Sequence, residues 1–167
     1  NIRWAGVPFY LRTGKRMPCK TTEIAIQFSK PPEVLYFKEV PRLESNLLVI
    51  KIQPREGAFL QFNAKKPGAR SDIIPVAMDF CQNCHIDAVS VDAYERLLYD
   101  VLRGDSTLFT RWDEVEHSWK FIDGIAKAWA NTKPEFPNYS AGSWGPDGAR
   151  ELIERNQRIW RDVCDYY

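Results

Sequence analysis

The stretch RTGKRMPCK, residues 12–20, gathers Arg12, Lys15, Arg16 and Lys20 around Gly14 in a chain whose formal net charge is only +1. Gly14 permits a tight or left-handed turn, and Lys15 and Lys20 can converge on one point from its two sides. An ammonium is a point charge that suits phosphate oxygens without the planar demand of a guanidinium. Spacing alone leaves two readings open, an anion-holding turn and a solvated basic turn. A second motif, CQNCH at residues 81–85, has the C-x-x-C-H spacing of covalent haem attachment through Cys81, Cys84 and His85. Haem attachment also needs a second axial ligand and a helical pocket, and neither is legible. A zinc site is incomplete, because Cys19, Cys164 and His117 stand singly, so no metal is expected. The chain has only two histidines, and it lacks a Ser-His-Asp order, a metalloprotease motif and a phosphate-cradling glycine loop. No catalytic residue is expected within it, and His117 reads as a surface residue.

These groups must be carried by a scaffold. The apolar opening RWAGVPFYLR reads as a strand leading into Gly14, and its lack of a polar lead-in suggests a missing N-terminal partner. TTEIAIQF alternates Ile24, Ile26 and Phe28 against Glu23, Ala25 and Gln27, which is the period of a half-buried strand. Asn46 to Gln53 is nearly continuous in apolar residues and reads as a more central strand, with a turn into AFLQFNAKK. DIIPVAMDF carries Pro75, which confines it to an edge, a bulge or an irregular start. Helices follow. Asp92 is placed to cap AYERLLYDVLR, whose apolar face holds Ala93, Leu97 and Val101 with Tyr94, Leu98 and Leu102, and Gly104 ends it. Val115, Trp119, Ile122, Ala126 and Trp129 recur at helical steps, and a last short helix lies around ARELIERN. Strands first and helices second predict an α+β fold, a large, mainly antiparallel sheet with helices packed on one face.

Composition sets the outer bounds. With 167 residues, 44% of them hydrophobic and 27% charged, one domain with a sizeable core is expected. Near-balanced charge offers no global field for nucleic acid or an anionic membrane, so neither is expected as a partner. Spacing assigns Trp119 and Trp129 to a core rather than to base stacking. No apolar run reaches the roughly 18 residues of a membrane span, and the chain reads as cytoplasmic, with its four cysteines kept as thiols.

Four longer segments, RWAGVPFYLRTGKRM, ESNLLVIKIQP, DAYERLLYDVLRGDSTLF and YSAGSWGP, together resemble the C-terminal domain of the glucose-6-phosphate dehydrogenase family over nearly the whole chain. The resemblance implies a single C-terminal substrate-binding and dimerisation domain at 1–167, with the Rossmann coenzyme domain and the catalytic histidine outside this chain. It implies an enzyme that oxidises glucose 6-phosphate to 6-phosphogluconolactone with NADP in the oxidative pentose phosphate pathway, and an isolated domain that is inactive. By the same resemblance Lys15, Lys20 and Gln53 contact the substrate, and the domain forms a homodimer through its sheet. Some members bind a second, structural NADP with an arginine in their G-S-R-G-P segment. Here Trp144 stands in that position, and Phe59 and Gln61 stand where those members have tyrosine and lysine, which argues against a structural NADP. The GSWGP form resembles bacterial members. Two rival readings are a non-catalytic interaction module and a c-type haem electron carrier using Cys81, Cys84 and His85.

Overall fold

Among the described residues, alternation and β-branching between residues 22 and 81 are realised as four strands. The computed structural model describes residues 2–31, 43–68, 72–81, 93–133 and 135–164. The strands are β1 (Thr22–Gln27), β2 (Leu47–Gln53), β3 (Gly57–Lys65) and β4 (Ile73–Cys81). They form an antiparallel sheet in the order β1-β2-β3-β4, so Pro75 lies on a strand at the edge of the described sheet, as its missing N–H requires. With three helices elsewhere among the described residues, this is the α+β class.

Register determines which residues share a face. Ala25 pairs with Val49, Val49 with Phe59 and Phe59 with Asp79, so these four line one face. That face is mixed. Val49 is fully buried there, while Lys51 Nζ donates to Asp79 Oδ2 at 2.9 Å. The opposite face carries Ile24, Ile26, Ile50, Ile74, Met78 and Phe80, all exposed, with Phe80 the most open at 62%. Alternation is thus present as expected, but the purely apolar face is the one left uncovered. Period two distinguishes the faces and says nothing about which of them finds cover.

The strands belong to one of two compact units, Cys19–Ala88 with Asp162–Tyr167. Within it Cys19 and Cys164 form a disulfide, with their Cα atoms 5.9 Å apart across a sequence separation of 145. This corrects the expectation of free thiols, which rested on an assumed compartment rather than on geometry. Val163, beside the bridge, is buried.

The other unit comprises Asn1–Pro18 and Val89–Arg161. Its opening is not the expected strand. Ile2–Trp4 forms a single 3₁₀ turn, and the described chain from there to Thr21 contains no strand. Three helices follow: α1 (Ala93–Arg103), α2 (Trp112–Thr132) and α3 (Asp147–Glu154). Asp92, the expected cap of α1, lies outside the described residues. The other end of α1 closes as a Schellman motif, in which Gly104 N–H donates to Val101 O (3.0 Å) and Asp105 N–H to Asp100 O (2.9 Å). Asp113 and Glu114 in the first turn of α2 suit the positive end of its dipole. The expected core assignments on these helices do not hold. Trp119 and Trp129 are exposed at 60% and 64%, as are Tyr94, Leu98, Val101 and Leu102. A helical stripe identifies a face that gains from cover, not the group that supplies it.

Candidate functional site

The cations of residues 12–20 do not share one environment. Arg12 sits against two aromatic rings. Its guanidinium carbon lies 4.4 Å from the centre of the Trp144 ring and 4.8 Å from that of Trp160, and Nη2 donates to Arg161 O at 3.3 Å. Two indole faces offer this cation their negative quadrupoles, so Arg12 is structural. Trp160 is itself fixed, through Nε1–H donating to Ala149 O at 2.8 Å and an edge contact with Tyr10.

At Lys15 the backbone is clamped. The Tyr139 hydroxyl accepts from Lys15 N–H at 3.1 Å and donates to Lys15 O at 2.9 Å, while Gly142 N–H donates to Arg16 O at 2.8 Å. A left-handed residue does occur in this turn, but it is Arg16, at φ +54°, rather than Gly14. Space at Gly14 is tight, because a Cβ there would stand 3.1 Å from Tyr139 Oη and 3.1 Å from Met17 Sδ, so one of these side chains would have to give by a few tenths of an ångström. The Lys15 side chain is exposed, and its ammonium makes no hydrogen bond or ion pair among the described residues.

Lys20 and Gln53 belong to the sheet-containing unit, whereas Lys15 belongs to the other. Lys20 is exposed and likewise makes no ion pair among the described residues. The chain just after it runs against the end of β2, where Gln53 Nε2 donates to Thr22 Oγ1 at 2.8 Å and Thr21 Oγ1 donates to Gln53 O at 3.2 Å. The amide oxygen of the Gln53 side chain has no hydrogen bond among the described residues.

The other candidates are accounted for differently. Cys81 is disulfide-bonded at the end of β4, so its sulfur is not available for a thioether to haem, while Cys84 and His85 lie outside the described residues. Among the described residues no group of three or more His, Cys, Asp or Glu side chains could hold a metal ion. His117 is an exposed residue of α2 whose Nδ1–H donates to Asp113 O at 2.6 Å. Gln61 donates through Nε2 to Glu44 Oε2 at 3.3 Å. Sequence reasoning missed Tyr139 altogether. Its segment, YSAGSWGP, stood out as a motif, but nothing local ties it to a turn 124 residues away.

A family model described as "Glucose-6-phosphate dehydrogenase, C-terminal domain" matches residues 1–161. The chain is 46% identical over 163 residues to a protein of Bacillus subtilis (strain 168) named glucose-6-phosphate 1-dehydrogenase, covering 98% of this chain and 33% of that protein. It is 49% identical over 167 residues to a protein of the same name from Chlamydia pneumoniae, with coverage of 98% and 33%. Among solved structures, "Glucose-6-phosphate dehydrogenase in complex with its substrate glucose-6-phosphate" matches with a TM-score of 0.72 and 29% identity, over 89% of this chain and 30% of that one. The enzyme of Mycobacterium avium matches with a TM-score of 0.66 and 29% identity, over 90% of this chain and 30% of that one. The chain therefore spans about a third of the length of the relatives it matches. Among the described residues no helix is long and apolar enough to cross a membrane.

Proposed function

Given that this chain belongs to the glucose-6-phosphate dehydrogenase C-terminal domain family, we propose that it supplies the substrate-gripping part of an NADP-dependent enzyme that oxidises glucose 6-phosphate to 6-phosphogluconolactone. In this reading residues 1–167 act as one substrate-binding and dimerisation domain, and the single family match running across both compact units supports it. The observation that carries the reading is Lys15, whose backbone is pinned while its ammonium is left without a partner among the described residues. A cation held in this way suits a sugar phosphate, because a pre-ordered backbone lowers the entropy lost when the anion is bound. The reading extends to Lys20, whose ammonium makes no ion pair among the described residues, and to Gln53, whose side-chain amide oxygen makes no hydrogen bond among them.

The reaction removes a hydride from C1 of the sugar and a proton from its C1 hydroxyl. NADP, when bound, supplies the hydride acceptor, and the base belongs to a coenzyme domain outside this chain. The role of Lys15, Lys20 and Gln53 is to orient the substrate, so that binding away from C1 is used to align C1. The domain alone is expected to be inactive. A structural NADP is not part of the proposal, since Trp144 stacks on Arg12 and Gln61 is bonded to Glu44. Self-association through the sheet is supported by its uncovered apolar face.

The test is steady-state kinetics of the full-length protein, following NADPH formation. Lys15→Ala and Lys20→Ala are each expected to raise KM for glucose 6-phosphate about tenfold or more, as loss of a charge-assisted contact does, and to leave KM for NADP nearly unchanged. If both variants keep the wild-type KM for the sugar phosphate, the proposal is wrong.

A further inference from the structure

We infer that Tyr139 is a positioning residue for the substrate grip, acting on the substrate only through the backbone of Lys15. This rests on the reading of Lys15 as a substrate contact. A lysine ammonium sits on a flexible four-carbon stem, so the region it can reach is set by the backbone at its root. At Lys15 that backbone is held by one group at both ends. Tyr139 Oη accepts from the Lys15 N–H at 3.1 Å and donates to the Lys15 carbonyl at 2.9 Å, which constrains φ and ψ of the same residue together.

The neighbouring geometry fits a clamp at this turn. Arg16 sits at φ +54°, a left-handed conformation that a non-glycine residue adopts only when its surroundings hold it there. Its carbonyl is tied by Gly142 N–H at 2.8 Å, from the same YSAG segment that brings Tyr139. Gly14 keeps the space into which the hydroxyl fits, with an added Cβ only 3.1 Å from Tyr139 Oη. Tyr139 is half-buried, and its hydroxyl is engaged by the turn. A phenylalanine would preserve the ring and lose both bonds to Lys15. The consequence is specific: without the hydroxyl, the Lys15 ammonium samples a wider region, and substrate binding bears the cost of ordering it.

A double-mutant cycle on the full-length dehydrogenase tests this. Wild type, Tyr139→Phe, Lys15→Ala and the double variant are compared with glucose 6-phosphate and NADP varied separately, alongside thermal unfolding. Tyr139→Phe is expected to raise KM for glucose 6-phosphate about five- to tenfold, with kcat and KM for NADP within about twofold of wild type. In the Lys15→Ala background it is expected to add nothing. An unchanged KM in Tyr139→Phe, while Lys15→Ala retains its effect, overturns the inference alone. Full additivity in the double variant also overturns it, since Tyr139 would then touch the substrate directly. No effect of Lys15→Ala itself overturns both this inference and the proposed function. If Tyr139→Phe unfolds, Gly14→Ala displaces the hydroxyl with the tyrosine intact. It is expected to raise the same KM, and only when Lys15 is present.

Discussion

The four cations of residues 12–20 are equivalent by type and separate by environment. Arg12 is absorbed between the Trp144 and Trp160 rings, Arg16 carries the left-handed turn, and Lys15 and Lys20 keep exposed ammonium groups. Sequence could register their density but not this division, because each partner lies more than a hundred residues along the chain. A local pattern behaves differently. Asp105 accepts hydrogen bonds from Thr107 Oγ1 at 2.6 Å and from Thr107 N–H at 3.0 Å, and these hold its carboxyl below the ordinary aspartate value, the side-chain bond contributing most. The bonds favour the carboxylate. Their contribution is therefore present above the carboxyl's unfolded pKa and is lost as pH falls through the lower folded value. An NMR titration should find Asp105 ionising at lower pH than an unstructured aspartate, and Thr107→Val should move it back upward. A titration midpoint unaltered by that substitution would refute the assignment.

Elements were the most legible scale. Period-two alternation, the proline at position 75 and the cap at Gly104 correctly announced β1, β4 and the end of α1, since each depends on neighbours a few residues away. What covers an element was not legible. Trp119 and Trp129 have core spacing and are exposed, and the apolar stripe of β1 faces outward. Close approach between strands was equally hidden. Gly57 pairs with Cys81, and a Cβ built on it would collide with the Phe80 carbonyl oxygen, a backbone atom that cannot swing aside. Gly57→Ala must therefore part β3 from β4, at a cost of about 2–4 kcal/mol. Urea unfolding is expected to show a clearly lowered midpoint, and a midpoint matching wild type would contradict this packing.

At the scale of the whole molecule, the sheet presents Ile24, Ile26, Ile50, Ile74, Met78 and Phe80 on one uncovered face. Extended apolar surface of this kind is a site of association. If the proposed homodimer forms through it, a lysine at position 80 would bury an unpaired charge in the interface. Light scattering should then find Phe80→Lys largely monomeric at concentrations where wild type is dimeric, and an undisturbed dimer would locate the interface elsewhere. The Cys19–Cys164 bridge is also a property of this scale, because no local pattern foretells a partner 145 residues distant. By itself, the sequence determined the α+β class, the places of β1 to β4 and of α1 to α3, and the family, all of which depend on short-range periodicity or contiguous motifs, while it nominates Lys15, Lys20 and Gln53 only through the family resemblance. Only the tertiary structure decided that Tyr139 grips the Lys15 backbone, that Arg12 is sandwiched, that Cys19 is bridged and that the apolar sheet face is open. Each of these depends on residues far apart in the chain meeting, or failing to meet, in space, and chain order does not encode that distance locally.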